Sequence, residues 1–181
     1  MKKLYSNLSE IIKNNLNMPE TVEAVGLLNL FKDVNKRGFF DKNQFYKVVM
    51  WKSPRPKNHY LSNSEEIIDS VSKLVLSSNS EEEKLQLLTS LKGVSIPVAS
   101  ALLTIINPKE YGIIDIRVWQ LLNLYDEVKT KPSGMGFNIN DYLLYLLILR
   151  RYAKQFNVNV RDIERILFFH HKKIQKGNLY E

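Results

Sequence analysis

The chain has 181 residues, of which 44% are hydrophobic and 25% are charged, so it can bury a core as one domain or as two small lobes. The absence of cysteine excludes disulfides, thiolate metal sites and a cysteine nucleophile, and with three histidines we expect no metal site. The longest apolar run, residues 142–149, is far shorter than the roughly 20 residues of a membrane span. Polar residues also come too early for a signal peptide, so we expect a cytoplasmic protein without a membrane partner.

Positive charge is concentrated at the two ends of the chain. Residues 1–60 and 129–181 each carry a net charge of +6, whereas residues 61–92 and 93–128 carry −3 and −2. Clustered lysine and arginine side chains displace counterions from phosphates, so this distribution is typical of a protein with a polyanion partner. It is equally compatible with an ordinary basic protein whose charged faces are solvated.

Helical periodicity runs along almost the whole chain and predicts an all-α fold. Apolar residues three to four positions apart mark a first helix from Leu4 to Leu16 and a second helix that Pro19 opens and Gly38 ends. The buried face of the second helix is expected to carry Val22, Val25, Leu28, Phe31 and Val34.

Capping pairs mark the starts of three further helices. Each pairs an N-cap side chain with a Glu or Gln three residues later: Asp41 with Gln44, Ser62 with Glu65, and Ser80 with Glu83. The last of these helices is expected to run to Leu91. Two long helices, 139–156 and 160–176, follow near the end of the sequence, and we expect loops at 51–60 and 126–138.

One short segment departs from generic helical sequence. Gly93 stands where a helix must end, because glycine tolerates a positive φ, and Val94 can anchor the turn in the core. Ser95 is an N-cap candidate for a helix that has Pro97 in its first turn. Such a turn leaves a site for one phosphate oxygen at the unpaired backbone N–H groups of Gly93, Val94, Ser95 and Ile96.

This segment and a second block resemble the helix-hairpin-helix DNA glycosylase superfamily. Leu91-Lys-Gly-Val-Ser95 matches the family's Leu-Pro-Gly-Val-Gly hairpin, and Ile114-Asp-Ile-Arg-Val-Trp119 matches the block that contains its aspartate. The tryptophan at the end of this block, Trp119, makes the block resemble the sequences of the 8-oxoguanine branch in particular. The resemblance covers about residues 80–124.

The resemblance implies a two-lobed helical fold that binds duplex DNA. The helix-hairpin-helix motif would lie at about 81–106, within a lobe formed by residues 20–105. The second lobe would combine residues 1–19 with 106–181. No cofactor is implied, apart from a monovalent cation at the hairpin.

The resemblance makes Asp115 the catalytic carboxylate, which would stabilise positive charge on the deoxyribose or activate the attacking water. The position that holds a lysine nucleophile in bifunctional members is Pro97, so a Schiff-base lyase mechanism through this position is excluded. The implied activity is therefore that of a monofunctional N-glycosylase. Arg117 replaces the family's histidine and keeps a phosphate-binding cation. Asp115 is also a suitable helix N-cap, and that role alone is an open alternative.

Two tryptophans and a basic loop are further candidates for DNA contact. Trp51 and Trp119 could each stack on a flipped base, although tryptophan at helical spacing is more often part of the core. Lys52, Arg55 and Lys57 flank Trp51 on a proline-containing loop, which is suited to DNA contact or simply solvated. The remaining pair, His170-His171, has no partner at an informative spacing, and we expect it at the surface.

Two other classes of protein remain alternatives. One is a non-catalytic helix-hairpin-helix DNA-binding module, and the other is an all-helical protein-interaction domain. The sequence specifies neither the damaged base nor the oligomeric state.

Overall fold

The computed structural model describes residues 2–175 and residue 179, and helices make up 63% of them. No strand occurs in that part of the chain, which confirms the predicted all-α fold. Within the same residues, no helix combines the length and the hydropathy that crossing a membrane requires. The helices, in chain order, are α1 Leu8–Lys13, α2 Val22–Phe31, α3 Val34–Arg37, α4 Lys42–Lys52, α5 Lys57–Leu61, α6 Glu65–Ser77, α7 Glu81–Thr89, α8 Ile96–Ile106, α9 Ile116–Leu124, α10 Ile139–Phe156 and α11 Val160–Ile174.

The chain divides into two compact units. The central unit is Thr21–Pro108, and the terminal unit combines Met1–Glu20 with Lys109–Glu181. The divisions that the resemblance implies lie between residues 19 and 20 and between residues 105 and 106. The turn around Gly93 lies in the central unit, and Asp115 lies in the terminal unit.

Helix α8 is the core element of the central unit and packs against α2, α4 and α7. Its small residues Ala99, Ser100 and Ala101 are fully buried, as expected for residues that let helices approach closely. The predicted capping box at the start of α4 is confirmed: the Gln44 N–H donates to Asp41 Oδ1 at 2.8 Å, and Gln44 Oε1 accepts from the Asp41 N–H at 3.0 Å.

In the terminal unit, α11 packs against α1, α9 and α10. The helix predicted at 139–156 is confirmed as α10. The helix predicted at 160–176 is observed as Val160–Ile174, and residue 176 lies outside the described residues.

A buried ionic network ties Glu20 to α11. Its Oε2 accepts from Arg161 Nε at 2.8 Å and from Arg165 Nη1 at 3.0 Å, and the two arginine side chains are only 9% and 7% exposed. The same arginines pair with Glu164 and Asp162 within the helix. Because a buried charge is tolerated only when it is paired, this network fixes the segment around Glu20 on the surface of α11.

The first helix is shorter than its apolar stripe suggests. Asn7 caps α1, since its side chain accepts from the Glu10 N–H, and the helix is confined to Leu8–Lys13. Leu4 and Leu16, which the periodicity places on the stripe, lie outside the helix and are 63% and 36% exposed.

The predicted buried face of the second helix is wrong for Val22 and Val25, whereas Phe31 and Val34 are buried as expected, with Val34 in the separate helix α3. The side chain of Thr21 caps α2 by accepting from the Ala24 N–H, so the helix begins at Val22 rather than at Pro19. Val22 and Val25 are 85% and 44% exposed. The predicted stripe and a second stripe of Ala24, Leu27 and Phe31 share Phe31, and within α2 the core takes the second stripe.

The fourth predicted helix starts two residues later than expected. Ser64, not Ser62, is its N-cap: the Ser64 backbone is extended and its hydroxyl accepts from the Ile67 N–H at 3.3 Å. Ser62 instead follows the end of α5, and its hydroxyl donates to the His59 carbonyl at 2.8 Å. A serine can serve either helix end, and the backbone conformation decides between them.

The predicted loop at 51–60 is largely helical, because α4 continues to Lys52 and α5 begins at Lys57. Only residues 53–56, which contain both prolines, separate the two helices.

The helix predicted to start at Ser80 ends at Thr89 rather than at Leu91. The loop predicted at 126–138 is confirmed as non-helical.

Candidate functional site

The turn between α7 and α8 has the backbone conformation that the sequence predicts. Gly93 has a φ of +85°, in the left-handed region that favours glycine. Val94 is 7% exposed and therefore anchors the turn in the core, while its N–H donates to the Leu91 carbonyl at 3.1 Å. Pro97 lies in the first turn of α8, where its missing N–H leaves no hydrogen bond unmade.

Three backbone N–H groups of this turn have no hydrogen-bond partner among the described residues: those of Gly93, Ser95 and Ile96. The prediction that all four N–H groups from 93 to 96 are unpaired is thus wrong for Val94. Ser95 occupies the N-cap position with an extended backbone, but its side chain makes no capping hydrogen bond. The start of α8 therefore presents N–H donors and the positive end of a helix dipole, beside the exposed side chains of Lys92 and Ser95.

The turn is held by Asn63, a residue that no sequence motif marks. Asn63 is 3% exposed, and its Oδ1 accepts from the Lys92 N–H at 2.9 Å while its Nδ2 donates to the Lys92 carbonyl at 3.1 Å. The same Nδ2 lies 3.2 Å and 3.1 Å from the carbonyls of His59 and Tyr60. One buried amide thus joins the end of α5 to the turn.

The basic and aromatic residues predicted at 51–57 all lie in the central unit. Trp51 and Lys52 are half-buried in the last turn of α4, whereas Arg55 and Lys57 are exposed. The structure therefore leaves Arg55 and Lys57 accessible to a ligand and makes Trp51 part of a helix rather than of a loop.

Asp115 caps α9 in the terminal unit. It is half-buried, its backbone is extended, and its Oδ1 accepts from the Arg117 N–H at 3.0 Å. Two tyrosines of α10 hold the segment that leads to it: Tyr142 donates to the Gly112 carbonyl at 3.1 Å, and Tyr145 donates to the Ile113 carbonyl at 2.8 Å. The carboxylate is thus placed at a helix N-terminus by a fixed backbone.

His171 lies beside this site, and the prediction that His170 and His171 are surface residues is wrong. His171 is fully buried and His170 is 4% exposed. His171 Nδ1 is 3.4 Å from Arg117 Nη1, and its Nε2 is 3.0 Å from Gln120 Oε1. Burial, followed by the nearby Arg117 charge, lowers the pKa of His171 to about 4, so the imidazole is neutral at pH 7.

The aromatic side chain accessible near Arg117 is Phe168, not Trp119. Trp119 is fully buried, packs on Phe137, and donates its Nε1–H to the Thr130 carbonyl at 3.0 Å, so its face is not available to a base. Phe168 is half-buried, with the Arg117 guanidinium 5.9 Å from its ring centroid. The sequence gives no signal for this contact, since the two residues lie on helices far apart in the chain.

The described part of the chain contains no group of three or more His, Asp or Glu side chains placed to hold a metal ion. No family model, curated protein or solved structure matches the chain. The resemblance to the helix-hairpin-helix glycosylases therefore stays a hypothesis that rests on the residues quoted above.

Proposed function

We propose that this chain binds duplex DNA through the turn at 91–96 and hydrolyses the N-glycosidic bond of a damaged base with Asp115, as a monofunctional glycosylase. The observation that supports it most is the turn itself. The N–H groups of Gly93, Ser95 and Ile96 have no partner within the described chain and stand at the start of an eleven-residue helix. Such donors bind phosphate oxygens, because the N–H groups and the helix dipole both favour an anion.

Charge in and near the turn favours a polyanion over a lone phosphate. Lys92 in the turn is exposed, as are Arg55 and Lys57 in the same unit. The chain as a whole carries a net charge of +7. Contacts of this kind recognise the DNA backbone rather than its sequence, so we expect salt-sensitive binding with little sequence preference.

Asp115 supplies the chemistry in this proposal. When the bond between C1′ and the base nitrogen breaks, positive charge develops on the sugar, and a fixed carboxylate stabilises it. Water adds its oxygen to C1′, and its two protons are divided between the new hydroxyl group and the departing base. A half-buried carboxylate with a fixed backbone suits this role, because it needs little reorganisation during the reaction.

The hydrogen bond from the Arg117 N–H to Asp115 favours a second candidate, a DNA-binding module in which Asp115 only caps α9. The two candidates share the DNA-binding turn and differ in whether a base is released. Measurements of base release by Asp115 variants separate the two candidates.

The test of DNA binding is the substitution Ser95→Asp. Aspartate is about as good an N-cap as serine and suits a helix N-terminus, so α8 should stay folded while a negative charge occupies the phosphate position. Ser80→Asp at the exposed N-cap of α7 is the matched control, since it makes the same charge change in the same unit. We expect about tenfold weaker duplex binding for Ser95→Asp and little change for Ser80→Asp, with unchanged melting temperatures. Equal effects of the two substitutions would contradict a phosphate site at this turn.

A further inference from the structure

A chain of hydrogen bonds connects the loop at 126–138 to Arg117. Gln120 Nε2 donates to the Ser133 carbonyl at 3.0 Å, and Gln120 Oε1 lies 3.0 Å from His171 Nε2. His171 Nδ1 in turn lies 3.4 Å from Arg117 Nη1. The four residues come from α9, α11 and the loop, all within the terminal unit.

The donors and acceptors of this chain can be assigned from chemistry alone. The Ser133 carbonyl can only accept, so the amide NH₂ group of Gln120 must face it and the amide oxygen must face His171. That oxygen can only accept, so the proton of the imidazole must be on Nε2. Nδ1 therefore carries a lone pair, directed at a guanidinium that can only donate.

We propose that His171 is a positioning residue for Arg117: held as its neutral Nε2–H tautomer by Gln120, it presents Nδ1 to the guanidinium and keeps Arg117 in place as a phosphate-binding group beside Asp115. The inference rests on the proposed function for the identity of the anion. Arg117 is already tied to this site through its backbone, because its N–H donates to Asp115 Oδ1. Its side chain also lies over the Phe168 ring, 5.9 Å from the centroid.

Holding the guanidinium matters because a free arginine side chain loses rotamer freedom when it binds a ligand. A guanidinium fixed on one side by an imidazole and by an aromatic ring has lost part of that freedom before binding. Its remaining N–H groups form a planar fork that matches phosphate oxygens. A histidine with a proton on Nδ1 would instead direct a donor at a donor and release Arg117.

Nuclear magnetic resonance of the wild-type chain tests the arrangement without DNA. Long-range ¹H–¹⁵N spectra distinguish the two imidazole tautomers, and the proposal requires the Nε2–H form for His171 at neutral pH. The Arg117 Nη groups should also show slowed rotation. A predominant Nδ1–H tautomer, or free rotation of the Arg117 guanidinium, overturns the proposal.

Two substitutions of His171 separate its two hydrogen bonds. In His171→Asn the amide can take the place of Nδ1 and still accept from Arg117, whereas in His171→Gln the longer amide reaches Gln120 instead. We expect the slowed Arg117 rotation to survive in His171→Asn and to be lost in His171→Gln. The opposite pattern, or equal loss in two variants that both remain folded by circular dichroism, overturns the proposal.

Duplex binding shows whether this positioning serves DNA recognition. Arg117→Met should weaken binding about tenfold and lower the slope of log K against log salt by about 0.9. His171→Gln should lower the slope likewise, and the double variant should bind no more weakly than Arg117→Met alone. Additive losses overturn the proposal. If the wild-type chain binds no duplex at all, the proposed function fails, whereas the tautomer and rotation measurements still decide whether His171 positions Arg117.

Discussion

The backbone of Gly93 lies so close to Tyr60 that a Cβ atom at residue 93 would be 3.0 Å from Cδ1 and Cε1 of the tyrosine ring. The same Cβ would be 2.9 Å from the Cβ of His59, an atom that cannot move without the backbone of α5. Gly93 is therefore required by close packing as well as by its positive φ. The shape of the candidate DNA-binding turn depends on this contact with α5.

We expect Gly93→Ala to destabilise the chain much more than Gly38→Ala. Both glycines have a positive φ, +85° and +80°, which costs an alanine about 1–2 kcal/mol. A Cβ at Gly38 would meet nothing within 4 Å, so only Gly93→Ala adds an overpacking cost of about 1–3 kcal/mol. Urea unfolding of the two variants measures the difference directly. Equal losses of unfolding free energy would show that the contact with Tyr60 relaxes freely.

Asn63→Ala should cost about 3 kcal/mol of unfolding free energy, because it removes a buried amide and takes away the partner of both the Lys92 N–H and the Lys92 carbonyl. The control is Asn35→Ala, an exposed asparagine whose side chain makes one hydrogen bond, at 3.3 Å, to the Ile106 carbonyl. We expect that variant to lose less than about 1 kcal/mol. Urea denaturation at pH 7 compares the two, and similar losses would mean that water replaces Asn63 at the turn.

Glu20→Ala should destabilise the chain by about 3–5 kcal/mol, since it leaves Arg161 and Arg165 with fewer partners in a buried position. Asp69→Ala is the exposed counterpart, because Asp69 pairs with Lys73 at 2.7 Å on the surface of α6. That substitution should cost less than about 1 kcal/mol. Thermal melting in low and in high salt distinguishes the two ion pairs. High salt should reduce the loss caused by Asp69→Ala more than the loss caused by Glu20→Ala, because salt screens only the exposed pair effectively.

Local signals made most of the helices and the turn predictable from the sequence. The capping box of Asp41 with Gln44, the N-cap Ser80 and the positive φ of Gly93 are all properties of a few adjacent residues. Where two local signals overlap, the sequence does not decide between them, as Ser62 and Ser64 show. Tertiary packing selects Ser64 as the N-cap, and it also selects the buried face of α2.

The polar contacts that hold the candidate sites are not predictable from spacing. Asn63 is 29 residues from Lys92, and His171 is 54 residues from Arg117. An isolated asparagine in a serine-rich stretch and a histidine beside lysines both resemble surface residues. Only the packing of α5 on the turn, and of α11 on α9, gives them partners.

The free energy of unfolding should decrease as the pH falls below neutrality, and His171 should account for part of that decrease. Its pKa is lowered to about 4 in the folded chain, so the folded state binds fewer protons than the unfolded state between pH 6.5 and 4. The stability from this group is therefore fully present above about pH 6.5 and is lost as the pH falls towards 4, by up to about 3 kcal/mol. Burial lowers this pKa most; among the charged groups, Arg117 and His170 lower the pKa further and Asp115 raises it.

The measurement is urea denaturation across that pH range for the wild type and for His171→Gln. In the glutamine variant, the slope of the unfolding free energy against pH should be largely lost between pH 6.5 and 4. The contribution of the carboxylates at lower pH should stay the same. Burial also lowers the pKa of His170, so a smaller slope of the same sign should persist. A slope that is identical in both chains would show that His171 is not held neutral.

The most direct test of the account compares Asp115→Asn and Asp115→Ala on duplexes that carry different damaged bases, with alkali to reveal abasic sites. Asparagine keeps the cap of α9 but cannot stabilise the charge on the sugar, so we predict a hundred- to thousandfold loss of base release with unchanged duplex binding and melting. Asp115→Ala should lose the same activity and also about 1 kcal/mol of stability. Base release that Asp115→Asn leaves intact, or product trapped on the protein by borohydride, would contradict hydrolysis by Asp115. Binding by the wild-type chain without release of any base would leave the non-catalytic DNA-binding module as the function.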